Sequence, residues 1–476
     1  MRRFRQLLVL LFVVGCIHSV SAQRRYRMHE RKSQPAVYLI AVEQDGTLYE
    51  AYARGRAADD IMVDFAQTRR TGFQQVVDPQ FIFTTKNNRF SLGIGGYINL
   101  RTSYDFMGAV DNIDFIPYDI PLYSDYANRQ RVMMDATTSR LFTKAVINSP
   151  TIGPIIAFID MDFRGGAEFS YTPRLRSAYV SLLGFTAGRD ITTFCDLDAS
   201  PTTIDFQGPN AYNFNFATML RYEHSFHDRH FKMGVAAEMP VVSGTYDENF
   251  RPISQRVPDI PMYFQYAWGE NRTSHFRASA VLRNMYLNNA VTGKNTSLFG
   301  WGVQASGRIE TCPYFTVFFN GVYGKGITPY IQDLTGSGLD FTPNPMNPEQ
   351  IQTMPMWGWQ AAGQINIIPS KLFVSGGYST VRVNMCNGYY ATNEYKRGTY
   401  IFGNIFYNLT RNCILAAEYL HGSRRNMDDA HNTANRLNIM IQYNFCRRQP
   451  SGSGRAAGSL HDGFRRFPFR RTRPIC

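Results

Sequence analysis

One pattern limits what this chain can fold into. Across residues 89–445, apolar and polar residues alternate with period two over runs of about ten residues, each run broken by turn residues. Past the first 22 residues, nothing approaches the ~18–20 consecutive apolar residues of a membrane-spanning helix. In the first clear run Phe90, Leu92, Ile94, Ile98, Leu100, Tyr104 and Phe106 share one face, while Ser91, Asn99, Arg101, Ser103 and Asp105 share the other. A strand this long is unusual in a soluble sandwich. It is the signature of a strand with lipid on one side and water on the other.

The pattern repeats. Ile155, Ala157, Ile159, Met161 and Phe163 oppose Asp160, Asp162 and Arg164. Trp357 and Trp359 begin another apolar face and fit an aromatic girdle at a lipid boundary. Sixteen segments are counted, including starts near Arg89, Thr138, Gly153, Arg174, Phe185, Tyr212, Leu298, Thr399 and Arg436. Short connections such as Gly184 and His227–His230 alternate with long ones such as Met107–Thr137, Cys195–Ala211, Val241–Ile260 and Lys325–Pro355. The expected fold is therefore all-β: a transmembrane antiparallel β-barrel of about 16 strands, with short periplasmic turns and long extracellular loops. The 14 % aromatic and 18 % charged content fits a barrel and argues against disorder.

The formal charge of +13 suggests nucleic acid or lipid as a partner until it is located. Residues 1–22 carry three arginines and no acid, and residues 446–476 carry eight arginines and Asp462. That leaves +3 for the body, so no nucleic-acid surface is expected. The first 22 residues read as a secretory signal cleaved after Ala22, with a rival lipobox reading that would lipidate Cys16. Residues 23–88 are expected to form a periplasmic segment, with Ala51–Thr68 reading as a helix. Residues 446–476 read as a disordered basic tail, either an anionic-surface tether or a dispensable extension. The seven cysteines show neither zinc spacing nor a disulfide framework, and no cofactor is expected.

About sixteen strands leave room for an aqueous channel. Strand parity turns Arg101, Arg140, Lys144, Arg164, Arg174, Arg176, Arg221, Lys232, Arg277 and Arg283 inward, together with Asp160, Asp162, Glu223 and Glu238. Two readings stand: a basic wall that attracts anions, or arginine–carboxylate pairs that stiffen the barrel. The Cys195–Ala211 loop, with Asp196, Asp198 and Asp205, either folds inward as a constriction or stays an ordinary outer loop. His224, His227 and His230 form an H-x-x-H-x-x-H run, read as a turn in preference to a metal site, since this spacing converges only on a helix.

The runs SRLFTKAV, GPIIAFIDMDFRG, YTPRLRSAYVSLLGFTAGRDITTFCD and ASPTTIDFQGPNAYNFNFATMLRYE resemble the DcaP-like porins of Gram-negative outer membranes, in particular a Bacteroidetes branch. The densest similarity covers Ser139–Glu223, with a weaker match from Asp78 to Phe445. The resemblance implies a sixteen-stranded, usually trimeric channel for small anions such as dicarboxylates, with Arg140, Arg174, Arg176 and Arg189 at matching motif positions. Small organic anions, outer-membrane lipid or lipopolysaccharide, and two further copies of the chain are the implied partners. The final strand ends in Phe445 like an outer-membrane assembly signal, but the basic tail follows it. The competing functions are a structural or adhesin barrel and, less favoured, a barrel enzyme. No plug domain or TonB-type box is read, and no catalytic set is assigned.

Overall fold

The computed structural model describes residues 89–447 apart from 109, 111–112, 124–126, 128, 168–169, 270–271, 345, 385–393 and 411. It also describes Tyr38–Val42, Leu48–Tyr52, Phe65, Asp78–Pro79 and Phe81–Thr85. The signal segment with Cys16, and the basic tail beyond Arg447, lie outside the described residues.

Sixteen antiparallel strands close on themselves. They are β1 (Phe90–Met107), β2 (Arg140–Ser149), β3 (Gly153–Asp162), β4 (Arg174–Leu182), β5 (Phe185–Ile191), β6 (Phe216–Phe226), β7 (Phe231–Glu238) and β8 (Ile260–Trp268). Then come β9 (Ser274–Asn289), β10 (Lys294–Cys312), β11 (Phe315–Lys325), β12 (Pro355–Ile368), β13 (Leu372–Val383), β14 (Tyr395–Asn408), β15 (Cys413–Asn426) and β16 (His431–Asn444). Each strand pairs with the next, and β16 pairs back onto β1 from Asn435↔Met107 to Asn444↔Tyr97. Closure leaves no open edge, as a hydrocarbon surround demands.

The expected strands begin where alternation places them at Gly153, Arg174 and Phe185. The starts read near Tyr212, Leu298, Thr399 and Arg436 move to Phe216, Lys294, Tyr395 and His431. A further piece, Arg131–Asp135, pairs with the outer half of β1 (Asp105↔Arg131) and leads into β2 through a turn at 136–139. That turn, where the Thr137 N–H donates to Asp135 Oδ1 at 3.0 Å, hid this piece from a period-two reading. Between β4 and β5 the hairpin is Leu183–Gly184, both at positive φ (51° and 85°) as a tight two-residue turn requires.

Outward side chains form a broad apolar band that includes Ile98, Leu100, Ile159, Leu220, Phe264, Phe299 and Ile439, all exposed on the isolated chain. Trp359 stands in this band beside Tyr378, 5.2 Å between centroids. Among the described residues no helix is long and apolar enough to cross a membrane. The strands supply the crossing.

Inward, the barrel is occupied. The connections β1–β2, β5–β6 and β11–β12 fold into the long-loop half and build a core of their own. Phe194, Ala211, Ile327, Tyr330, Ile331 and Leu334 pack against Val281, Val322, Met356, Val381 and Tyr395 of the wall. Val110, Phe115 and Ile120 pack against Tyr400, Phe402 and Leu420.

Before β1, Phe81–Thr85 pairs with it antiparallel (Phe81↔Ile94 to Thr84↔Ser91). This covers the stretch of the β1 edge that β16 does not reach. Tyr38–Val42 pairs in parallel with Phe81–Thr85 and antiparallel with Leu48–Tyr52. The helix expected over Ala51–Thr68 is corrected at its start, since Ala51 and Tyr52 finish a strand whose backbone bonds go to Tyr38–Val42. Within that span only Phe65 is described as helical; 53–64 and 66–68 lie outside the described residues.

Candidate functional site

The connection between β5 and β6 crosses the lumen. It leaves one wall at Ile191 and reaches the opposite wall, β12 to β15. There the backbone N–H groups of Ile204 and Asp205 donate to the two oxygens of Glu418 on β15, at 2.9 and 2.8 Å. Asn404 and Asn438 donate to the same carboxylate at 3.0 and 3.2 Å. Asn404 also donates to the Thr202 carbonyl (2.9 Å), and the Ala211 N–H donates to Ser379 Oγ (3.0 Å). A loop carries orphan backbone donors wherever it is buried. Here inward polar residues of the wall satisfy them, which is why Glu418 and Asn404 interrupt an otherwise apolar inner patch of Phe406, Ile414, Ala416 and Met440.

Asp205 is the hinge of this contact. It is fully buried, accepts from the Phe115 N–H (3.1 Å) and the Tyr400 hydroxyl (3.1 Å), and lies 3.6 Å from Arg101. Burial, then the nearby charges of Asp114 and Glu418, push its carboxyl up to about 7 against the pull of Arg101. Asp333 of the β11–β12 connection is likewise raised, to about 6, chiefly by burial. It accepts from Tyr395 (2.6 Å) and from the Tyr118 N–H (3.1 Å), so it ties three elements together. Asp196 behaves oppositely. Burial would raise it, but His275 and Arg277 outweigh that and hold it at about 2; His275 Nε2 is 2.9 Å away and Ser306 donates at 2.6 Å. Asp198 is half-buried in the same loop.

A pH dependence follows. An acid raised on docking binds more protons docked than free, so docking is strongest at low pH and weakens as pH rises through the docked value. The crossing loop is therefore expected to loosen progressively between about pH 4, near the free carboxyl value, and about pH 7, the docked value of Asp205. Single-channel current noise should increase over that range, and Asp205→Asn should reduce the dependence because a neutral amide carries no such penalty, leaving the part due to Asp333.

Most inward cations are paired. Arg140 Nε donates to Asp160 at 2.6 Å, and Arg176 bridges Asp160 and Asp162 at 3.6 and 2.9 Å. Arg174 binds Asp162 with both Nε (2.9 Å) and a terminal nitrogen (2.6 Å), a two-point fork. Arg164 turns to Asp114 of the β1–β2 loop (2.5 Å), which Arg101 also reaches at 3.2 Å. Arg221 binds Asp190 (2.7 Å) and Lys232 binds Glu223 (3.0 Å). Arg283 lies between Asp259 and Asp340, each at 3.0 Å, and donates to the Gly326 and Val241 carbonyls. Arg277 donates to the Thr193 carbonyl and lies 3.5 Å from the Tyr263 ring centre. Lys144 donates to the Phe65 carbonyl at 3.1 Å. Phe206, at the tip of the crossing loop, is flanked by Arg164, Arg176 and Arg174 at 4.5, 5.1 and 5.9 Å.

Arg189 stands apart from the inner row. It pairs in register with Ala178 and the exposed Thr218, its Nε donates to the Leu175 carbonyl (3.3 Å), and it covers Phe216. The physical reason is alternation: Asp190, its neighbour, takes the inward place. Arg436, on the same face as Asn438 at the expected start of the last strand, is a further inward cation beyond the set named from the sequence, fully buried on Asp105 at 2.6 Å. Arg308, which shares the inner face of β10 with Gln304 and Ser306, is another beyond that set.

His227 and His230 lie in the β6–β7 turn, and His230 Nδ1 is 2.8 Å from the Ala267 carbonyl. His224 stacks instead between Tyr222 and Phe226. No group of three histidine, cysteine or acidic residues placed to hold a metal occurs among the described residues.

The family described as DcaP outer membrane protein matches residues 84–445. The chain belongs to that family. Membership places this DcaP-family barrel in the outer membrane. The crystal structure of the outer membrane channel DcaP of Acinetobacter baumannii superposes with a TM-score of 0.66 at 18 % identity, covering 76 % of this chain and 99 % of that one. OmpT, an outer membrane protein of Vibrio cholerae, gives 0.47 at 12 % identity over 75 % and 98 %. Salmonella typhi OmpF in complex with daunomycin gives 0.46 at 11 % identity over 75 % and 98 %. These likenesses concern the fold. No curated protein matches the chain.

Proposed function

We propose that the chain is a passive diffusion channel for small hydrophilic solutes with a modest bias toward organic anions such as dicarboxylates, working as a homotrimer. The supporting observation is the charge that water still reaches on the inner wall. Arg101, Arg140, Arg176 and Arg283 are consumed by carboxylates and fully buried. Arg174, Lys232 and Arg308 keep a third or more of their side chains exposed, against Glu223 and Glu310 at about a quarter to a third. Among these five, cations outnumber acids three to two, and the cations stand on β4, β7 and β10, outside the wall where the crossing loop docks. Such an imbalance biases permeation without trapping the solute.

Planar-bilayer recording tests this reading. The expected result is single-channel steps and a reversal potential in a salt gradient of anionic sign. Absence of steps at any salt concentration would favour a structural or adhesin barrel, and cation selectivity would refute the bias. Arg174→Glu should lower the anion preference while leaving the fold intact, because its charge is partly in water. Arg176→Glu is a poor probe: it would set a third carboxylate beside Asp160 and Asp162 in a fully buried site.

A further inference from the structure

We propose that Phe65 and Pro79, anchored by the strand Phe81–Thr85 ahead of the barrel, form a built-in stopper, seated in the short-turn end of the lumen against β1 to β3. This rests on the channel reading above. Three kinds of contact carry it.

The first is shape. Gly93 and Gly95 face inward on β1, and the space where their side chains would stand is taken. A Cβ at Gly93 would overlap the Pro79 ring and come within 2.8 Å of Phe65 Cε1; one at Gly95 would come within 3.2 Å of Pro79 Cα. Glycine inside a strand weakens it and marks close approach of another backbone. Here the approaching chain is this protein's own.

The second is polar. Lys144, inward on β2 and in register with Gly93, gives its ammonium to the Phe65 carbonyl at 3.1 Å, and the same nitrogen is 5.5 Å from the Phe65 ring centre. In an open channel that lysine would point into water. Here it is buried.

The third is burial. Phe65 is completely buried, and Phe142, Val146 and Phe158 on the inner face of β2 and β3 are nearly so. Apolar inner residues bordering an aqueous lumen would expose much of their surface; these do not. Ile82 is buried too, opposite Gly93 in the added strand, and Thr84 Oγ1 lies 3.0 Å from Ser91 Oγ. Residues 81–85 are thereby fixed to β1 by backbone pairing while Phe65 and Pro79 lie on its inner face. The fixed strand holds the stopper in place, and the glycine cradle receives it.

The test uses the whole chain in planar bilayers, with Phe65→Ala and Gly93→Leu as separate variants. The expected result is a conductance raised roughly twofold in each, together with faster labelling of a Val146→Cys reporter by a methanethiosulfonate reagent, read at that residue by mass spectrometry. Heat-modifiable gel mobility establishes that each variant is folded. Should Gly93→Leu not fold, Phe65→Ala decides alone, since Phe65 lies outside the strands. Parent steps with unchanged variant conductance and unchanged Val146→Cys labelling would overturn the stopper and leave the channel standing. A lower unfolding temperature with unchanged conductance would mean a brace, and would also overturn it. A parent without steps would overturn both readings.

Discussion

Glu418→Ala is expected to release the crossing loop and raise single-channel conductance roughly twofold. The carboxylate of Glu418 accepts both backbone N–H groups at the tip of that loop, from Ile204 and Asp205, and two side-chain amides of its own wall. Removing it leaves buried donors without an acceptor, at about 1–3 kcal/mol for each. The tip keeps Asn404 on the Thr202 carbonyl, Tyr400 on Asp205 and the Ile204 side chain against Phe406, Ile414, Ala416 and Met440, but none of these supplies an acceptor for the two N–H groups. The loop should therefore leave β15 while the strands stay paired. Glu418→Gln retains one carbonyl oxygen and should fall between the two. The measurement is conductance together with limited proteolysis near Pro201. A loop that stays protected, with parent conductance, would show that the Asp205 contacts to Phe115 and Tyr400 suffice.

Arg283→Met should have the largest effect on stability. Arg283 is fully buried and joins β9 to Asp259 before β8, to Asp340 and Gly326 of the β11–β12 connection, and to Val241 after β7. Breaking a buried pair by removing one partner costs about 3–5 kcal/mol, since the other charge is left in place. Here two carboxylates would be stranded, and Thr328, which donates to Asp340, would lose its fixed partner. The thermal transition of the folded band on gels should fall by many degrees. A triple variant with Asp259→Asn and Asp340→Asn should recover much of it, because the stranded charges are then gone.

Alternation made the wall legible. It depends only on neighbours in the chain, and a strand with lipid on one side cannot disguise its period, so β3, β4 and β5 start where the pattern says. Parity likewise turned Arg140, Arg174 and Arg176 inward. Who pairs with whom was less readable. Asp160, Asp162 and Arg164 stand as mutual partners on paper, yet Arg164 prefers Asp114, a loop residue fifty positions away. A register shift at Asp160/Met161 brings both Arg176 and Ser177 inward, a local event that no hydropathy period records. The inward course of the loops was unreadable for a different reason. A buried loop needs acceptors, and for Ile204 they come from a residue 214 positions further on.

That distance has a consequence for how the protein is made. The crossing loop finds its partners at Gln360, Ser379, Asn404 and Glu418, all in the C-terminal half. Until those strands arrive, the loop has Phe115 and Arg101 for Asp205 but no acceptor for the N–H groups of Ile204 and Asp205, and contacts so remote in sequence form slowly. A chain interrupted before β15 would leave the Ile204 and Asp205 N–H groups without their acceptor. Completion of the last strands thus supplies the loop's remaining acceptors and the closing seam together.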